Sequence, residues 1–179
     1  AYMDSIDGDY LEFGSLTGSS LNHAINCYKK IYKKENVKIF AFDSFEGFPE
    51  DNHKIFKSQN YTGNYEKVKK IALRHSNCRI IKGFFRNTLK DDNLKKEIKK
   101  ISITFIDCDY AISSKDIFEF IKPKLSYGSY LIIDDFHNID FNKNSISKEF
   151  NKLFNKSDYQ ITGYFGLHGV IIRFFGNQE

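Results

Sequence analysis

Apolar residues in this chain switch repeatedly between two periods, and that alternation limits the fold more than any other feature. Leu21, Ala24, Ile25, Tyr28, Ile31 and Tyr32 recur on one helical face. Short apolar runs of strand length flank them, at residues 9–14 and 37–42. The exchange continues with a helix over 65–75, a strand over 78–85, a lysine-rich helix over 91–99 and a strand over 101–106. A helix over 113–121, an apolar run at 130–133 and a helix marked by Ile146, Phe150, Leu153 and Phe154 follow. Residues 159–165 and 170–175 flank a glycine-bounded turn and predict an antiparallel pair. Strands alternating with helices predict an α/β fold with a mostly parallel central sheet and helices on both faces. The uninterrupted run 130–133 suits a strand covered on both sides.

Ser19 or Ser20 is expected to cap the first helix, whose end Lys33 and Lys34 suit, and Ser113 or Ser114 to cap the helix over 113–121. The exception to the alternation is 44–63, which has Gly47, Pro49 and Gly63 and no period, and reads as a long loop or lid. No linker or repeat divides the chain, so residues 1–179 are expected to form one domain.

Composition narrows the function classes. With 27 basic and 23 acidic residues the net charge is only +4, and the charges are interspersed, which argues against a dedicated nucleic-acid binder. No apolar run approaches the roughly 18 residues of a membrane helix, and no signal-peptide core stands in 1–9. Cys27, Cys78 and Cys108 are odd in number and fall in three different elements, without zinc spacing or a disulfide framework. A reducing, cytoplasmic compartment is the expectation. The lysines of 90–100 read as a solvated helix face.

The chemistry is expected at the strand ends, because open α/β sheets bind ligands beyond their carboxyl edge, where the strand order reverses. Four of those ends carry acids: Glu12, Asp43, Asp107 with Asp109, and Asp134 with Asp135. Any one of them could equally cap the next helix, but all together are poorly explained that way. The first turn, Glu12-Phe-Gly14-Ser-Leu-Thr-Gly18-Ser-Ser20, is not G-x-G-x-x-G and has no following Lys, so a phosphate cradle is unsupported. Its glycines allow close backbone approach. Glu12 suits an ammonium and hydroxyls, and Asp43 can accept from both hydroxyls of a ribose. Such a nucleoside site points to S-adenosylmethionine. Asp107 and Asp134, one helix and one strand apart, would meet if their strands are neighbours. Clustered carboxylates without His or Cys favour Mg2+ over zinc. His137 lies close by, but a lone loop histidine is more often a surface residue.

These residues resemble a known family. The run Asp9-Tyr-Leu-Glu12-Phe-Gly14 with Gly18, and Phe42-Asp43-Ser44-Phe45-Glu46-Gly47-Phe48-Pro49, are similar to the macrocin-type sugar O-methyltransferases. So are Gly83-Phe84-Phe85 with Thr88-Leu89, Asp107-x-Asp109, and the stretch from Leu125 to Asp134-Asp135. The resemblance implies a Rossmann-like class I methyltransferase, dependent on S-adenosylmethionine and Mg2+, that modifies a hydroxyl of a sugar or glycosylated small molecule. It places Glu12, Gly14, Gly18, Ser20, Asp43, Ser44, Phe45, Gly83, Phe84 and Asp107 around the donor. It makes Asp107, Asp134 and Asp135 metal ligands and Asp107 the general base, and has 46–63 close over the acceptor. A homodimer is also within its implications.

The chain departs from the family pattern at Asn87, Cys108, Tyr110 and Tyr127-Gly128-Ser129. It also begins just ahead of its first strand, where the family has a helical extension, so a minimal enzyme and a fragment both stay open. Two other readings remain. One is a metal-dependent methyltransferase for a catechol or another vicinal diol, with Phe48, Tyr61 and Tyr65 stacking on the ring. The other is a non-catalytic domain of the same fold.

Overall fold

The computed structural model describes residues 6–31, 37–49, 61–139 and 144–176. Seven strands form one sheet: β1 (Asp9–Phe13), β2 (Ile39–Asp43), β3 (Cys78–Lys82), β4 (Ile101–Ile106), β5 (Leu125–Ile133), β6 (Tyr159–Phe165) and β7 (Gly169–Phe174). Among the described residues six α-helices accompany them: α1 (Ser19–Ile31), α2 (Tyr65–Ala72), α3 (Phe85–Thr88), α4 (Asp92–Glu97), α5 (Ala111–Ile121) and α6 (Ile146–Leu153). The spatial order is β3-β2-β1-β4-β5-β7-β6, parallel except for β7, which runs against both β5 and β6. Both the parallel sheet and the terminal antiparallel pair expected from the sequence are present.

Strand alternation sorts the side chains into two cores. Leu11 and Phe13 of β1, with Phe40 and Phe42 of β2, face α4, α5 and α6 through Leu94, Ile117, Phe118 and Phe150. Tyr10, Ile39 and Ala41 face α1 and α2 through Leu21, Ile25, Tyr28 and Val68. Successive residues of a strand point to opposite sides, so both faces need a cover, and the helices supply it. Aromatic packing stiffens the first of these cores. Phe150 stacks on Phe154 at 4.2 Å and meets Phe118 edge-on at 5.3 Å.

Several boundaries differ from expectation. The strand expected over 78–85 ends at Lys82, because the chain turns at Gly83 and Phe85–Thr88 coil into α3. Helix α5 begins at Ala111 with Tyr110 as its N-cap; neither Ser113 nor Ser114 caps it, and the Ser114 hydroxyl donates to the Ala111 carbonyl. Strand β5 starts earlier than 130, its first half hidden from a periodicity reading by a register shift against β4. The Ser20 hydroxyl donates to Glu12, not to the first turn of α1. Tyr32, Lys33, Lys34 and most of the expected lid, 50–60, lie outside the described residues. Among the described residues no helix is long and apolar enough to cross a membrane.

The order reverses at β1. Strands β2 and β3 are laid down on one side of it and β4 and β5 on the other. The Gly14 amide donates to the Phe42 carbonyl at 2.9 Å, and the Asp107 amide donates to the Phe13 carbonyl at 2.9 Å. Gly14 stands at φ +92, and a Cβ there would lie 1.7 Å from the Asp107 carbonyl oxygen. Only glycine fits. Gly14→Ala is therefore expected to destabilise the protein by on the order of 3 kcal/mol, combining strain with overpacking. A urea denaturation midpoint unchanged from wild type would contradict this.

Candidate active site

A cleft of about 410 Å³ opens over the carboxyl ends of β1, β2 and β4, roofed by α3 and the first turn of α5. That volume lies within the roughly 300–1,000 Å³ of small-molecule sites. Gly14, Asp43, Ser44, Phe84 and Asp107 line it, five of the residues expected to surround a donor. Glu12, Gly18, Ser20, Phe45 and Gly83 are outside the lining.

Glu12 is fully buried, and alternation along β1 explains where it goes. It shares the Tyr10 side of the strand and therefore lies beneath α1. Its carboxylate accepts from the Tyr10 phenol at 2.9 Å and from the Ser20 hydroxyl at 3.0 Å. Burial raises its pKa, and the hydrogen bonds from Tyr10 and Ser20 oppose the rise. Through the Ser20 hydrogen bond, Glu12 and Ser20 pin the start of α1 to β1. Gly18 has a packing role, since a Cβ there would lie 2.9 Å from Ile71 Cδ1 and obstruct the approach of α2. Phe45 is buried and meets Tyr65 edge-on at 5.3 Å.

Asp43 joins two loops. Its carboxylate accepts from the Leu16 amide and from the Phe45 amide, each at 2.7 Å. Leu16 and Phe45 both hold positive φ, at 38° and 57°. Such conformations persist only where the surroundings impose them, and two charge-assisted bonds to one carboxylate do so here. Next to it, the Ser44 hydroxyl donates to the Gly47 carbonyl at 2.8 Å and accepts from the Glu46 amide at 3.1 Å.

The acids of β4 and β5 do come together. Ile106 pairs with Ile133, and the Asp134 amide donates to the Ile106 carbonyl at 2.8 Å, so Asp107 and Asp134 end adjacent strands. Asp135 follows at once, its amide donating to Asp134 Oδ1 at 3.0 Å. Burial, then the charges of Asp109, Asp134, Asp135 and Glu12, push Asp107 up to about 7. Burial, then Asp135 and Asp134, push Asp109 up to about 6. Asp135 is raised too, by burial and Asp134, with His168 acting in the opposite sense. His137 is exposed, and its amide donates to the His168 carbonyl at 3.3 Å.

The sequence reading did not select Arg86, Ile112, Lys115 or Asp116, which also line the cleft. The early start of α5 brings Ile112 and Ser113 to the rim. Ile112, which is 54% exposed, carried no signal in the sequence, since the helix was expected to begin only at 113.

With that geometry in place, comparison with known proteins is decisive for the family. Residues 1–157 match the model of the family described as Macrocin-O-methyltransferase (TylF). The chain belongs to this family. A macrocin O-methyltransferase relative, the mycinamicin III 3''-O-methyltransferase of Micromonospora griseorubida, is 25% identical over 152 residues, which are 76% of this chain and 58% of that protein. The 8-demethyl-8-(2,3-dimethoxy-alpha-L-rhamnosyl)-tetracenomycin-C 4'-O-methyltransferase of Streptomyces olivaceus is 25% identical over 150 residues, 74% of this chain and 54% of that protein. The chain thus spans a little over half the length of these two relatives. The crystal structure of CalS11, a calicheamicin methyltransferase, superposes with a TM-score of 0.81 at 18% identity, covering 98% of this chain and 75% of the other. At that identity the likeness shows the fold, which is the class I methyltransferase fold.

The family implies a divalent metal, and the donor set is chemically suited to one. The charges of neighbouring carboxylates help raise the pKa of Asp107, Asp109 and Asp135, a conflict a hard cation relieves, and carboxylate oxygens are hard ligands. Among the described residues, no three His, Cys, Asp or Glu side chains stand ready to hold an ion.

In the metal-free protein these acids oppose folding at high pH. The folded pKa values of Asp107 and Asp109, about 7 and about 6, lie above the ordinary 3.8. The folded state therefore holds more protons across that window, and stability falls as pH rises from about 4 through about 7. Asp109→Asn is expected to raise the melting temperature at pH 8 by a few degrees and to leave it unchanged at pH 3. A lower melting temperature for the variant at pH 8 would contradict the electrostatic account.

Proposed function

We propose that this chain transfers a methyl group from S-adenosylmethionine to a hydroxyl of a sugar or glycosylated small molecule. The observation that carries the proposal is the position of Asp107. It lines a nucleoside-sized cleft at the strand-order reversal of a class I methyltransferase fold, and it stands next to Asp109, Asp134 and Asp135 in a chain of the macrocin O-methyltransferase family. We treat the chain as one catalytic domain with 44–63 as its lid. The three free cysteines and the soluble character of the reaction suit the cytoplasm.

The donor would supply an electrophilic methyl on sulfur. Mg2+, held by Asp107, Asp134 and Asp135, would polarise the acceptor hydroxyl and stabilise developing negative charge. The rest falls to the residues of the chain. Asp43, fastening the loops after β1 and β2, sets the shape of the donor half. Phe84 and Ile112 face its interior with apolar surface. Asp107 takes the hydroxyl proton as the acceptor oxygen forms its bond to the methyl carbon. The electrons of the broken carbon–sulfur bond return to sulfur. In the metal-free protein, burial and the charges of Asp109, Asp134 and Asp135 push Asp107 up to about 7, so its carboxylate is still ionised in part at neutral pH. Phe48 and Tyr61 shield the cleft from water on the acceptor side.

Titration calorimetry with S-adenosylmethionine is expected to show saturable binding, and its absence in the folded protein would overturn the proposal. Asp107→Asn should cut turnover by roughly 10²–10⁴-fold while leaving donor affinity within about threefold. Wild-type-like methylation by that variant would remove Asp107 as the base. Because Mg2+ would relieve repulsion among ionised carboxylates, it should raise the melting temperature more at pH 8 than at pH 5. Equal shifts at both pH values would argue against a carboxylate site. Donor consumption screened with Mg2+ or with EDTA against nucleotide sugars, glycosides and catechols would identify the acceptor class.

A further inference from the structure

Three aromatic rings gather along one wall of the cleft. Phe48 and Tyr61 line it. The Phe48 ring lies 4.9 Å from Tyr61 at an interplanar angle of 52°, and 4.5 Å from Tyr110 at 70°. The rings come from three separate segments: the loop after β2, the stretch ahead of α2, and the N-cap of α5. None of the three residues is fully buried. Phe48 and Tyr61, which line the cleft with Tyr110 behind Phe48, therefore present apolar ring surface to it, which an occupant with an apolar face would cover.

The wall stands beside the acids. Asp107 and Asp109 line the same cleft, and the charges of Asp109, Asp135 and Asp107 reach the Tyr61 phenol, adding to the effect of its burial in raising its pKa. An occupant of this half of the cleft thus meets apolar rings on one side and carboxylates on another. A pyranose satisfies both at once, since its axial C–H groups make one non-polar face and its hydroxyls project from the rim. A planar catechol fits less well. Its two flat faces call for parallel rings on either side, whereas these rings are tilted by 52° and 70° to one another.

We infer that Phe48 and Tyr61, braced by Tyr110, form the specificity wall of the acceptor subsite, seating the C–H face of a pyranose and turning its hydroxyl edge toward Asp107 and Asp109. The inference deepens the methyl-transfer reading and rests on it. The wall acts in binding, and Asp107 keeps its chemical role.

Saturation-transfer NMR tests it, using a panel of methyl hexopyranosides and methyl 6-deoxyhexopyranosides, with catechol as the planar competitor and S-adenosylhomocysteine present. The wild type should saturate the ring C–H protons of one sugar face most strongly. Phe48→Leu keeps an apolar side chain and removes the ring; it should reduce the transfer roughly fivefold and raise the acceptor KM about tenfold, with kcat changed by less than about threefold. Phe48→Tyr should restore both. Calorimetry with S-adenosylhomocysteine should give the same affinity for all three proteins, which also establishes that the variants are folded. Transfer and KM in Phe48→Leu equal to wild type, or transfer to catechol and to no pyranoside, would overturn the wall while leaving methyl transfer intact. Failure of the wild type to bind S-adenosylhomocysteine would overturn the methyl-transfer reading and the wall with it.

Discussion

The site depends on how closely β1 and β4 approach at their carboxyl ends. The Asp107 amide is bonded to the Phe13 carbonyl, and the Gly14 α-carbon sits where a Cβ would run into the Asp107 carbonyl oxygen. Without that approach the strand order could still reverse at β1, but the cleft would lose its floor. Gly14 and Asp107 both line it, so one contact between two strands joins the turn after β1 to the acids that follow β4.

Around this contact, carboxylates do two different jobs. Glu12 and Asp43 are structural organisers. One is buried with its oxygens taken by Tyr10 and Ser20, and the other holds two strained loop residues by their amides. Asp107, Asp109 and Asp135 instead crowd one another beside Asp134, and the raised pKa values of those three record an unresolved repulsion. A folded protein gains nothing in stability from such crowding. It is the kind of local conflict that accompanies a binding function, because a cation or a proton in flight relieves it.

Much of this was legible in the sequence because it is local. Helical spacing at Leu21, Ala24, Ile25 and Tyr28 places α1, and β4 occupies the residues expected of it, Ile101–Ile106. Motif spacing led to the family. Elements went astray where tertiary contacts outweigh local signals. Gly83 cut β3 short, a register shift disguised half of β5, and α5 started on Ala111 without either serine as its cap. The acids were correctly gathered at neighbouring strand ends. That Glu12 is buried under α1 while Asp43, Asp107 and Asp109 line the cleft was not apparent, since Glu12 and the cleft-lining Gly14 are only two residues apart.

The sequence by itself determined the alternation of elements, the parallel sheet with its antiparallel end, and which strands end in acids, because periodicity and turn chemistry are written in neighbouring residues. Tertiary structure alone decided that Glu12 lies under α1, that both oxygens of Asp43 hold backbone amides, and that Phe48, Tyr61 and Tyr110 meet. Those outcomes depend on which face of the sheet each crossover covers and on how distant segments pack. No local pattern encodes either, because the energies that settle them come from contacts between residues far apart in the chain.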